Sequence, residues 1–112
     1  MSAAALKERL RADLKIAMRD KRAEEVALLR KLIAALDNAE AVPTEGYRPR
    51  ALEGSRGEVA RRELDSAEVD SLLANEIAER QTVAEEFERL GRTDEAAKLR
   101  GEAALVSRYV GP

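Results

Sequence analysis

Residues 85–98 read Glu85-Glu86-Phe87-Glu88-Arg89-Leu90-Gly91-Arg92-Thr93-Asp94-Glu95-Ala96-Ala97-Lys98, and this stretch decides the fold. Leu90 closes an apolar stripe, and Gly91 supplies a residue that enters the left-handed region without steric cost. Thr93-Asp94-Glu95 then opens a second helix with a cap and an acidic first turn that suits the positive end of the helix dipole. A connection this short forces its two helices antiparallel. The segment is the turn of a helical hairpin.

Upstream of that turn, Val69, Leu72, Leu73, Ile77, Val83, Ala84, Phe87 and Leu90 recur at three- and four-residue steps, the period of one helix face. Asp65 and Glu68 have capping-box spacing, and Leu64 with Val69 fits the hydrophobic staple. Gln81 and Thr82 fall on the polar side. Phe87, the only phenylalanine, is expected as the central plug of the core. Downstream, Ala96, Leu99, Ala103, Val106 and Val110 mark the returning helix.

A second hairpin lies nearer the N-terminus. Ser2 caps a helix running to Arg19, with Leu6, Leu10, Leu14, Ala17 and Met18 on one face. Asp20, Lys21 and Arg22 form a short turn, and Glu24 and Glu25 suit the first turn of the next helix. Val26, Leu29, Ile33 and Leu36 make its stripe, widened by Leu28 and Leu32. Between the hairpins, Pro43, Gly46, Pro49, Gly54 and Gly57 break every helical pattern. Residues 42–64 are therefore expected as a long irregular loop, with Glu58 to Leu64 extended along the bundle and anchored by Val59. The expected fold is all-α: an antiparallel bundle of four helices in one domain spanning residues 1–112, with no second C-terminal domain. No internal repeat is evident.

Composition narrows the chemistry. Apolar residues are 45% of the chain and aromatics 3%, so small aliphatic side chains must fill the core and helix axes can approach closely. There is no Cys and no His. That removes disulfides, thiolate nucleophiles, the usual general base and the commonest metal ligand. No apolar run approaches the ~20 residues that span a bilayer, and no signal-type segment opens the chain, so a cytoplasmic location is expected.

Charge is unevenly distributed. Residues 1–22 carry seven basic and three acidic side chains, whereas residues 65–112 carry six and eleven. Lys7, Arg11, Lys15, Arg19 and Arg22 share about a third of the first helix's circumference, and Arg30 with Lys31 extends them on the second. Such a row meets RNA phosphates, or else serves as a solvated face or a partner for the acidic half. The glutamates come in helical pairs such as Glu76 with Glu79, but without His they make a poor metal centre. Glu76 with Arg80 reads as an ion pair one turn apart. Ser55, Ser66, Ser71 and Ser107 have no base to activate them, and Gly54-Ser55-Arg56-Gly57 lacks the Gly-Lys-Ser/Thr ending of a phosphate loop. Tyr47 and Tyr109 read as a loop anchor and a helix-end packing residue. No catalytic residue, metal or cofactor is assigned.

Three segments resemble the YqeY-like (GatB/YqeY-domain) family: Leu6-Lys7-Glu8-Arg9-Leu10 to Ala17-Met18; Leu29-Arg30-Lys31-Leu32-Ile33-Ala34-Ala35-Leu36-Asp37-Asn38-Ala39-Glu40; and the hairpin at Glu76–Arg80 and Glu85–Arg92. Phe87, Gly91, Arg92, Asp94, Glu102 and Tyr109 are the positions that carry the third. The resemblance implies an all-helical domain related to the tail region of the GatB component of aspartyl/glutamyl-tRNA amidotransferase. It implies tRNA or an amidotransferase as partner for an accessory, non-catalytic module. The alternatives are an amide-transfer activity (carbon–nitrogen ligation with glutamine as amido donor), which the family resemblance also implies, and a structural bundle whose wide apolar stripes form a homodimer seam.

Overall fold

A computed structural model describes residues 1–41 and 62–111. Among them are four helices: α1 (Ala3–Arg19), α2 (Ala23–Glu40), α3 (Ser66–Arg89) and α4 (Thr93–Ser107). α1 pairs with α2 and α3 with α4, giving the two hairpins expected from the periodicity. The start signals of α1 and α3 act as read. The Ser2 hydroxyl accepts from the Ala5 amide at 3.1 Å. Asp65 accepts from the Glu68 amide at 2.8 Å, while Glu68 reaches back to the Asp65 amide at 3.1 Å. Arg62 holds the same glutamate at 2.6 Å, and this contact, with the Asp65 amide, keeps the Glu68 carboxyl below its ordinary pKa.

Both hairpins turn through one backbone geometry. α1 ends at Asp20 (φ −87°, ψ 2°), followed by Lys21 at φ 58° and Arg22 at φ −90°, ψ 82°. α3 ends at Leu90 (φ −88°, ψ 2°), followed by Gly91 at φ 76° and Arg92 at φ −98°, ψ 72°. The hydrogen bonds match: the Arg22 amide donates to the Ala17 carbonyl at 2.9 Å and the Arg92 amide to the Phe87 carbonyl at 2.8 Å. This long bond over a left-handed residue is the Schellman closure, which satisfies carbonyls the helix leaves open. Each turn also ends in an arginine paired with a glutamate three residues on, Arg22 with Glu25 and Arg92 with Glu95. The expectation that Thr93 caps α4 is corrected: Arg92 holds the cap position, Thr93 is the first helical residue, and no side chain caps either α2 or α4.

The core is a leucine seam. Leu6, Leu10 and Ala17 of α1, Leu28, Leu29, Leu32 and Leu36 of α2, Val69 and Leu73 of α3, and Val106 of α4 are buried together with Leu64 and Tyr109. Leu64 docks while its neighbour Arg62 donates its amide to the Glu40 carbonyl at 2.6 Å, so the chain re-enters beside the end of α2. The expectations for Val59 and the rest of residues 42–61 lie outside the described residues.

From α3, nothing after Ile77 joins this core. Beyond it the buried residues are Ala84, Ala96 and Ala103, which the second hairpin covers by itself. At 1.5 Å per residue, α3 with its 24 residues spans ~36 Å and α2 with its 18 spans ~27 Å. The turn end of the second hairpin therefore overhangs the first.

The overhang corrects several assignments. Phe87 is half-buried rather than the central plug, lying under the Arg92 guanidinium at 5.5 Å. Leu90 is 64% exposed and Val83 is exposed beside it, because their face of α3 has run past its cover. Met18 is exposed at the end of α1, where the helix has turned its face away. α4 stops at Ser107, so Val110 falls outside the helix and is exposed, while Tyr109 turns inward.

Candidate nucleic-acid interface

α1 splits its basic residues between two jobs. Lys7 is drawn inward, its ammonium 3.1 Å from Asp37 Oδ1 and 2.5 Å from Glu40 Oε1, with 15% of its side chain exposed. The Glu40 hydrogen bond raises its pKa, against the opposing effect of burial and with help from Asp37. Lys7 thus fastens α1 to the end of α2, and Glu40 is the one buried charged residue among those described. Its partner is the neighbouring helix, not the acidic second half of the chain.

Arg11, Lys15 and Arg19 point outward. They recur every fourth residue, so the row spans eight residue steps, or ~12 Å along the axis. All three are exposed. Arg11 and Lys15 have no ion-pair partner among the described residues, and Arg19 lies 3.5 Å from the adjacent Asp20. Beside this row runs a second, Glu8, Ala12 and Ile16, with Ile16 42% exposed. Arg22 is withdrawn toward Asp20 and Glu25, both at 3.4 Å. Arg30 is exposed on α2 and reaches the Met18 sulfur at 4.0 Å, placing a further cation across the α1–α2 boundary. Of the seven basic positions singled out in the sequence, Arg11, Lys15, Arg30 and Lys31 are exposed with no carboxylate partner among the described residues, Arg19 is exposed beside Asp20, and Lys7 and Arg22 are held by carboxylates.

Of the six positions behind the third segment's resemblance, all but Asp94 prove to be joints. Gly91 supplies the positive φ of the second turn, and Arg92 covers Phe87 and pairs with Glu95. Asp94 sits exposed in the first turn of α4. Glu102 receives Arg80 at 3.0 Å, while Arg80 also holds Glu76 at 2.7 Å, so one guanidinium with 12% exposure ties α3 to α4. The Glu76–Arg80 pair read from spacing is present, and Glu102 is the partner that spacing within one helix could not reveal.

Tyr109 closes the domain. Its ring is 3% exposed, its hydroxyl donates to Asp13, and the Arg9 guanidinium stacks over it at 4.7 Å while bonding the Arg108 carbonyl at 3.2 Å. Burial, then the Asp13 carboxylate, pushes the phenol's pKa well above its ordinary value. Arg9 and Asp13 lie four residues apart on α1, but nothing in their spacing tells that a distant tyrosine will bridge them. Among the described residues, no three carboxylates converge as a cation site would need, and the Ser107 hydroxyl donates to the Ala104 carbonyl of its own helix at 2.7 Å.

The family model described as Yqey-like protein matches residues 7–112. The chain belongs to the YqeY-like family. The match takes in both hairpins and the joints just described. No curated protein matches the chain. Among the described residues, no helix is long and apolar enough to cross a membrane.

Proposed function

We propose that this YqeY-like chain is an accessory, non-catalytic helical module that binds RNA, with tRNA the expected ligand, through the outer face of α1. The observation that carries this reading is the exposed row Arg11, Lys15 and Arg19, of which the first two have no carboxylate partner among the described residues. Cations held out from a protein of net charge −2 favour a polyanion, and each phosphate neutralised releases condensed counterions. The described aromatic rings are engaged internally, Phe87 beneath Arg92 and Tyr109 beneath Arg9. Contact through this face is therefore to backbone phosphates, which position a ligand without reading its bases. The Lys7 clasp and the Tyr109 closure tie α1, which carries the row, to the end of α2 and to the segment after α4.

The test is fluorescence anisotropy with labelled tRNA and the purified chain, comparing wild type with the triple reversal R11E/K15E/R19E. Wild type binds and the variant loses at least tenfold in affinity, with an unchanged circular dichroism spectrum. Equal binding by both, or none by wild type at low salt, overturns the reading.

A further inference from the structure

We infer that the overhanging end of α3 is an interaction surface for the outer face of α1 on a second copy of this chain. The face of α3 that packs on the first hairpin through Val69 and Leu72 continues along the helix as Val83, Phe87 and Leu90. These stand at helical spacing of four and three residues, so they form one row. Covered at its beginning by leucines, this face is crossed by Glu76 and Arg80 and then carries exposed Val83 and Leu90, the latter 64% exposed, on either side of the half-buried Phe87. Two exposed aliphatic side chains flanking a half-buried phenyl ring on one helix face form an edge that a second helical surface can cover.

Charge identifies the cover. Glu79 and Glu86 flank Val83 one turn on either side, and residues 79–95 carry six acidic against three basic side chains. The outer face of α1 is the inverse: Ala12 and the exposed Ile16 form a short apolar row beside Arg11, Lys15 and Arg19. Laid against each other, the two helices bring apolar row to apolar row and cations to carboxylates. Two or three turns of helix contact is a small interface, so the association is weak and salt-sensitive. It uses the face proposed for RNA but does not depend on that proposal, since a second copy and a polyanion would compete for the same cations.

Sedimentation equilibrium from about 10 µM to about 1 mM, at low and at high salt, tests the contact. Wild type self-associates at low salt, and about 0.5 M salt reverses it. L90S and K15E each weaken association roughly tenfold, both at exposed positions where folding is not at stake. E79K weakens it too, while an equimolar mixture of K15E and E79K associates more strongly than either alone, because the reversed charges then meet. A wild type that stays monomeric throughout, or association lost in L90S but untouched by K15E, overturns the inference. L90S keeps wild-type tRNA binding, so failure here and failure of the RNA reading are separate results.

Discussion

Replacing Gly91 by alanine and Lys21 by glycine perturbs one turn geometry, used in both hairpins, in opposite directions. Both residues occupy the left-handed position that follows a helix end, at φ 76° and φ 58°. A Cβ built on Gly91 meets nothing within 4 Å, so G91A adds no clash with a neighbour and its cost is the backbone conformation alone. For an L-residue that cost is ~1–2 kcal/mol. K21G removes the same strain from the first turn but adds freedom to the unfolded chain, which returns ~0.5–1 kcal/mol. Alanine at position 91 recovers the same unfolded-state freedom, so the expected net is a destabilisation of ~0.5–1.5 kcal/mol for G91A and a gain of up to ~1 kcal/mol for K21G. Urea unfolding followed by circular dichroism reads both. With a slope of ~1–3 kcal/mol/M, G91A lowers the midpoint by ~0.3–1 M and K21G raises it by a few tenths, with the slope unchanged. A midpoint left unchanged by G91A, or lowered by K21G as much as by G91A, would refute this assignment of strain.

Three further perturbations have defined outcomes. Arg80→Met strands Glu76 and Glu102 facing each other across α3 and α4 and destabilises the fold by ~2 kcal/mol after allowance for partial solvent access, measured as a urea midpoint shift. Gly101→Ala, in the interior of α4 with nothing within 4 Å of the added carbon, stabilises by ~0.5–1 kcal/mol, and thermal melts will show a Tm raised by a few degrees. Tyr109 has its pKa raised in the folded state, so the stability it contributes is complete below the ordinary phenol pKa of 10.0 and is lost as pH rises through the higher folded value. The Tm of wild type therefore falls above about pH 10, whereas Tyr109→Phe starts lower at pH 7 and shows a shallower alkaline decline.

Local signals in the sequence located the helices because each depends on residues close together. Asp65 with Glu68, Ser2, and Gly91 each act within one turn of chain, and each sits where its spacing placed it. Periodicity also identified the leucine seam of α1 and α2. It failed where the question was how far the cover extends. Val83, Phe87 and Leu90 keep the rhythm of a buried face, but a stripe does not record that the first hairpin ends before they do. The equivalence of the two turns was hidden because Lys21 stands where Gly91 does, and only the dihedral angles equate them. At the candidate interface, spacing placed Arg11, Lys15 and Arg19 on one face. It did not show that Lys7 turns toward Asp37 and Glu40, since those partners sit 30 and 33 residues away on another helix. Long-range polar joints such as Tyr109 to Asp13 or Arg80 to Glu102 depend on the packed register of helices, which no single helix encodes.

The proposed role rests on an exposed row of three cations, two of them without a carboxylate partner among the described residues, and the salt dependence of RNA binding measures that row directly. Titrating wild type with tRNA across a range of salt concentrations gives a linear fall of log affinity against log salt. The expected slope is roughly −2 to −3, near 0.7–0.9 for each phosphate met by Arg11, Lys15 and Arg19. R11E/K15E/R19E removes most of that slope along with the affinity, while the inward-facing Lys7 adds nothing to it. A slope near zero in wild type, or an equal slope in the triple variant, would contradict the account.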